Sequence, residues 1–106
     1  MTTKVLIVDD HFVVRKGLLA ILTEIPDAVD AEEAGSGEEA LGKPAGAEYD
    51  LVLLDIALPG KNGLEVLKEI KALRPALPVL MLSLHPEEQY AVQSMRAGAS
   101  GYLQIY

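Results

Sequence analysis

Three segments of the chain repeat one pattern: residues 4–9 (KVLIVD), 50–55 (DLVLLD) and 78–83 (PVLMLS) are short, unbroken apolar runs, each closed by a polar residue. Apolarity without alternation is what a parallel strand covered on both faces requires, so these runs predict three central strands with polar terminators at their C-terminal ends. Residues 29–34, diluted by Asp30, Glu32 and Glu33, predict an edge strand, and residues 101–106 a further strand. Helical patterns lie between them. Val14, Leu18, Ile21, Leu22 and Ile25 recur on one helical face that Pro26 ends, and Val66, Leu67, Ile70 and Leu73 repeat that spacing before Pro75. A shorter stripe of Ala91, Val92 and Met95 follows Pro86, with Glu87 and Glu88 complementing the helix dipole and Gly98 closing the helix. Residues 38–41 read as a short helix, which Gly42, Pro44 and Gly46 turn into a loose loop.

Alternating strands and helices imply right-handed crossovers and an α/β, doubly wound parallel sheet, whose ligands sit beyond the strand C-terminal ends. With the first and third strands as neighbours, Asp9 and Asp10 from one and Asp55 from the other meet at a single rim. Carboxylates titrate near about 4 in isolation, so three together repel at neutral pH and call for a counterion. A hard divalent cation with oxygen ligands answers that need, and Mg²⁺ keeps waters whose places a phosphate oxygen can take. The competing reading makes Asp9 and Asp10 caps of the following helix and Asp55 the start of a turn at Pro59-Gly60.

Composition narrows the field. The 106 residues, half of them apolar, suit one folded domain, and with no cysteine there is neither a disulfide nor a thiolate metal site. The apolar run after Lys4 is too short for a secretory or membrane-spanning segment, which places the expected setting in the cytoplasm, without a membrane. Sixteen acidic against nine basic residues give a formal charge of −7, and no basic cluster exceeds Arg15-Lys16. Nucleic-acid contact by this chain is therefore not expected, and its partners should be proteins. Neither a Gly-x-Gly-x-x-Gly nor a Walker loop is present. A phosphatase with an aspartyl nucleophile lacks its acid, because Ala57 stands two residues after Asp55, and a flavin phosphate would meet Asp9 and Asp10 after the first strand.

The paired acids in Val8-Asp9-Asp10, the stretch from Leu54 through Asp55, Ile56, Ala57 and Leu58 to Pro59-Gly60 with Gly63 beyond, and Leu82-Ser83 together resemble the receiver domain of two-component response regulators. The stretches from Asp10-His11-Phe12 to Arg15 and from Arg96-Ala97-Gly98 to Leu103 are similar to the subgroup that carries a C-terminal helix-turn-helix of the LuxR/NarL type. The resemblance implies a CheY-like, flavodoxin-like five-stranded parallel sheet of order 2-1-3-4-5. Residues 1–106 then form one receiver domain lacking its fifth, C-terminal helix, altered or truncated after about Leu103. It also implies roles. Asp55 accepts a phosphoryl group from a sensor histidine kinase by in-line displacement, as a phosphoacceptor rather than an enzyme, open to self-catalysed phosphorylation and dephosphorylation. Asp10, Asp55 and the backbone carbonyl of Ala57 bind Mg²⁺, with Asp9 acting through water. Ser83 hydrogen-bonds the phosphoryl group, and Tyr102 is the aromatic whose orientation follows the switch. The ordinary readings are a strand-end hydroxyl for Ser83 and a half-buried strand aromatic for Tyr102. Lys61 reads as a surface lysine in a turn and His85 as a solvated loop residue.

Two departures qualify the resemblance. Receiver domains usually carry a lysine where this chain has Ile105, which offers neither charge nor donor. The second function class is accordingly a non-signalling pseudo-receiver, or a truncated or engineered receiver scaffold, acting only in protein association. Without a fifth helix, apolar residues of the central and final strands should be bared, and self-association, as in a dimer, would cover them.

Overall fold

A computed structural model describes residues 3–24, 29–42, 49–83 and 88–104 of the chain. Its strands are β1 (Thr3–Val8), β2 (Val29–Ala34), β3 (Leu51–Asp55), β4 (Val79–Ser83) and β5 (Gly101–Gln104). The helices are α1 (Phe12–Thr23), α2 (Gly37–Gly42), α3 (Gly63–Leu73) and α4 (Glu88–Arg96). All pairings are parallel and the order is β2-β1-β3-β4-β5, so the chain reverses direction across the sheet between β1 and β3, as the sequence predicts. The diluted strand, β2, lies at an edge. His85 and Ile105, both singled out from the sequence, lie outside the described residues.

Each apolar run divides its side chains between two faces, because successive residues of a strand point oppositely. Leu6, Val8, Val52, Leu54, Val79 and Met81 join Val66, Leu67 and Ile70 of α3 in one core, to which Leu41 of α2 and Tyr90 and Ala97 near α4 add partly buried contacts. Val5, Ile7, Leu53 and Leu82 face the other way, where α1 covers them with the half-buried Leu18, Leu19 and Leu22. The expected baring is met at Leu103, which is 52% exposed, but not at Leu53 and Leu82, which these leucines and their strand neighbours keep buried.

Local chemistry sets the helix ends. Asn62 caps α3 by accepting from the Glu65 backbone N–H at 3.0 Å while its amide donates to the Glu65 carboxylate at 3.1 Å. Gly63 opens that helix because a Cβ there would lie 2.3 Å from the Asp55 carbonyl oxygen. At the end of α4, Gly98 takes φ +102°, its N–H donates to Met95 O, and that of Ala99 donates to Ser94 O. The pair forms a Schellman motif, which accounts for the predicted stop.

Four helical positions read as core-facing from their spacing turn outward. Ile21 is 63% exposed and Leu73 75%, each at the last turn of its helix. In α4 the reversal is larger: Val92 and Met95 are half exposed, while Ser94 is fully buried between Tyr90 and Ala97. That helix meets the core through Tyr90, with Ala97 just beyond its end, rather than through its apolar stripe.

Candidate functional site

The carboxyl ends of β1 and β3 are adjacent, with Val8 opposite Leu54, so the residues that follow them share one rim. Asp9 continues the β1 ladder for one more bond, its N–H donating to Ala34 O at 3.1 Å, and the Arg15 guanidinium donates to the Asp9 carbonyl at 2.7 Å. Arg15 also donates to Glu33, as does Lys16, tying the first turns of α1 to β2. Glu33, one of the acids that dilute the edge strand, therefore helps to hold α1. Asp9 and Asp10 do not cap α1: its N-cap is His11, which makes no side-chain capping bond. Instead the Asp9 carboxylate accepts the His11 backbone N–H at 2.7 Å, a local turn that fixes the loop.

Asp9, Asp10 and Asp55 come together as predicted, and a fourth residue joins them. His11 Nδ1 lies 3.0 Å from Asp9 Oδ1, 3.1 Å from Asp10 Oδ1 and 3.7 Å from Asp55 Oδ2. One ligand atom from each of the four lies within 4.8 Å of the others. Asp9 and Asp55 are almost wholly buried, whereas Asp10 and His11 line the mouth. Asp55 Oδ1 accepts the Ala57 N–H at 3.0 Å, while Oδ2 is buried with no hydrogen-bond partner among the described residues. Burial above all, aided by the charges of Asp9 and Asp10, raises the Asp55 carboxyl from 3.8 to about 6, against the lowering effect of the Ala57 N–H and of His11. The hydrogen bond to Asp9 and the surrounding carboxylates raise the His11 imidazole above its ordinary value. The Asp55 oxygen that lacks a partner among the described residues, with three acids around one point, fits a divalent cation.

The remaining predicted residues lie at graded distances from this point. Ser83 is buried at the end of β4, one residue beyond Leu82, which pairs with Asp55, so it shares the rim. Ala57 is in the β3–α3 turn, tied to Asp55 through its N–H. Tyr102 pairs with Met81, two residues short of Ser83. Its ring packs on the α3 side of the sheet, and its buried hydroxyl has no partner among the described residues. Lys61 turns to the surface, where its ammonium donates to both Glu69 oxygens at 2.8 and 2.9 Å. His11 was legible only as part of a motif. The available signal was its place after two acids at a strand end, where an imidazole has carboxylates within reach.

The chain belongs to the response regulator receiver domain family, whose model matches residues 5–104. It is 41% identical over 101 residues to the transcriptional regulatory protein ResD of Bacillus subtilis, covering 95% of this chain and 41% of ResD. It is 38% identical over 100 residues to the DNA-binding transcriptional activator DevR/DosR of Mycobacterium tuberculosis, covering 94% of this chain and 46% of that protein. The chain thus spans less than half the length of these curated relatives. Among solved structures, the response regulator TrrA of Thermotoga maritima, in complex with Mg²⁺-BeF, superposes with a TM-score of 0.87 at 33% identity, covering 98% of this chain and 87% of that one. Among the described residues no helix is long and apolar enough to cross a membrane.

Proposed function

We propose that the chain is the phosphoacceptor receiver of a two-component response regulator, taking a phosphoryl group from the phosphohistidine of a sensor kinase onto Asp55 in the cytoplasm. The observation that carries this reading is the buried Oδ2 of Asp55, which has no hydrogen-bond partner among the described residues and shares one point with Asp9, Asp10 and His11. Oδ2 attacks phosphorus in line, the phosphorus–nitrogen bond of the donor breaks, and the donor imidazole keeps the electron pair and takes a proton. Asp10, Asp55 and the Ala57 carbonyl would hold Mg²⁺, with Asp9 through water. When bound, the ion neutralises charge on the phosphoryl oxygens. The N–H of Ala57 keeps the Asp55 carboxylate oriented. The Ser83 hydroxyl donates to a phosphoryl oxygen, and Tyr102, with a hydroxyl that gains nothing where it lies, follows the shift of the β4–α4 loop.

Incubation with acetyl phosphate and Mg²⁺, read by intact mass, should add one phosphoryl group to the parent and none to Asp55→Ala. Equal labelling of the two would remove Asp55 as nucleophile. Ile105, standing where receivers usually carry lysine, supports a second reading in which the domain associates with proteins but does not switch. Beryllofluoride, a phosphoryl mimic, should then leave the oligomeric state unchanged, whereas a switching receiver changes it. A second copy of the chain is the proposed cover for the exposed Leu103, and a clean monomer in sedimentation at high micromolar concentration would exclude it.

A further inference from the structure

The position of His11 asks more of the site than three carboxylates do. Resting on the cation reading above, we propose that His11 contributes Nδ1 as a ligand, making a mixed nitrogen and oxygen site that holds divalent transition ions such as Ni²⁺ or Co²⁺ more tightly than Mg²⁺.

Three observations support this. First, bonds of about 2.1 Å put neighbouring ligand atoms about 3.0 Å apart around an octahedral ion and about 3.4 Å apart around a tetrahedral one. The separations of Nδ1 from Asp9, Asp10 and Asp55, at 3.0, 3.1 and 3.7 Å, have that scale. Second, the ring is free of helix duty. His11 is the N-cap of α1, with φ −88° and ψ 107°, yet its side chain makes no capping bond, and the loop is held by its backbone N–H on Asp9. The imidazole is about half exposed, so water can serve Nε2 while Nδ1 faces inward. Third, and independently of the cluster's shape, Asp55 Oδ2 is buried without a hydrogen-bond partner among the described residues and faces the same point.

The donor set then dictates preference. Mg²⁺ favours oxygen and retains its waters, so an imidazole adds little for it. For the first-row transition ions an imidazole is a good ligand, and affinity rises from Mn²⁺ through Co²⁺ to Ni²⁺. An aliphatic or amide side chain at position 11 would leave an oxygen-only site.

The test is calorimetric titration of the untagged full chain with NiCl₂ and with MgCl₂, and Co²⁺ absorption as a direct view of the ligands. The parent should bind Ni²⁺ tighter than Mg²⁺ by about tenfold or more, and His11→Ala should lose about tenfold in Ni²⁺ affinity while changing Mg²⁺ affinity less than about threefold. The visible Co²⁺ band should shift on removal of the nitrogen donor. His85→Ala, which deletes the other histidine, should change none of these, and circular dichroism should show both variants folded. If the parent binds Mg²⁺ but His11→Ala keeps full Ni²⁺ affinity and an unshifted Co²⁺ band, or His85→Ala takes the loss, His11 is not a ligand and the carboxylate reading stands. If neither ion binds the parent, both readings are overturned together.

Discussion

The two faces of the sheet differ in how they are closed. Among the described residues, the side carrying α2, α3 and α4 gathers fifteen buried core residues, and α3 alone contributes Val66, Leu67 and Ile70. The opposite side holds four, all from strands, and α1 has no buried residue at all, meeting them with side chains that stay half covered. Burial contributes stability roughly in proportion to the apolar area removed from water, so the first side should dominate folding and the second should yield first. The acidic site straddles this divide. Asp55 is anchored to the closely packed β3–α3 junction, where Gly63 abuts its carbonyl, whereas Asp9, Asp10 and His11 lead into the lightly held α1. A site with one stiff wall and one yielding wall can keep Asp55 fixed while the exposed Asp10 and His11 adjust.

The sharpest test of this contrast compares leucines. Leu67→Ala should destabilise by about 3 kcal/mol and Leu18→Ala by about 1 kcal/mol in denaturant midpoints at unchanged slope. Equal losses would mean that α1 is packed as firmly as α3. The stiff wall also has a built-in cost. Because the folded state raises the Asp55 carboxyl from 3.8 to about 6, it binds that proton more tightly than the unfolded chain does. Stability from this group is greatest below 3.8, falls as pH rises towards 6, and stays low above it. Asp55→Asn should therefore raise stability by about 2 kcal/mol at pH 7 without metal, and the gain over the parent should vanish below about pH 4. A constant gain at both pH values, seen by thermal melting, would remove charge burial as its cause. The smallest effect is expected on the yielding side. Ile21→Lys, at a position 63% exposed, should change stability by no more than about 0.5 kcal/mol. A larger loss that grows with protein concentration would show that a second molecule covers this helix.

Reading the sequence succeeded where one physical demand acts alone. Continuous apolar runs such as VLIV and LVLL point to strands buried on both faces, and the strand order that the resemblance implies then brings Asp9, Asp10 and Asp55 to one rim. It failed where two demands compete. In α4, periodicity favours Val92 and Met95 as the inner face, but the helix is turned so that Ser94 is buried and those two are half exposed. Leu73 and Ile21 fit their stripes but stand exposed in the last turns of their helices. His11 was hidden for another reason: a lone imidazole carries no spacing signature, and only the folded loop shows its nearness to three carboxylates.

The ties from Arg15 and Lys16 to Glu33, with Arg15 also on the Asp9 carbonyl, fasten α1 at its beginning. Its far end finishes at Thr23 with no basic residue in the last turn and a C-cap at Glu24 whose acidic charge lies near the negative end of the helix dipole. Deuterium should accordingly enter the backbone amides from that end, and raising ionic strength, by weakening the fastening at the other, should let the exchange front advance towards the loop that carries the acids.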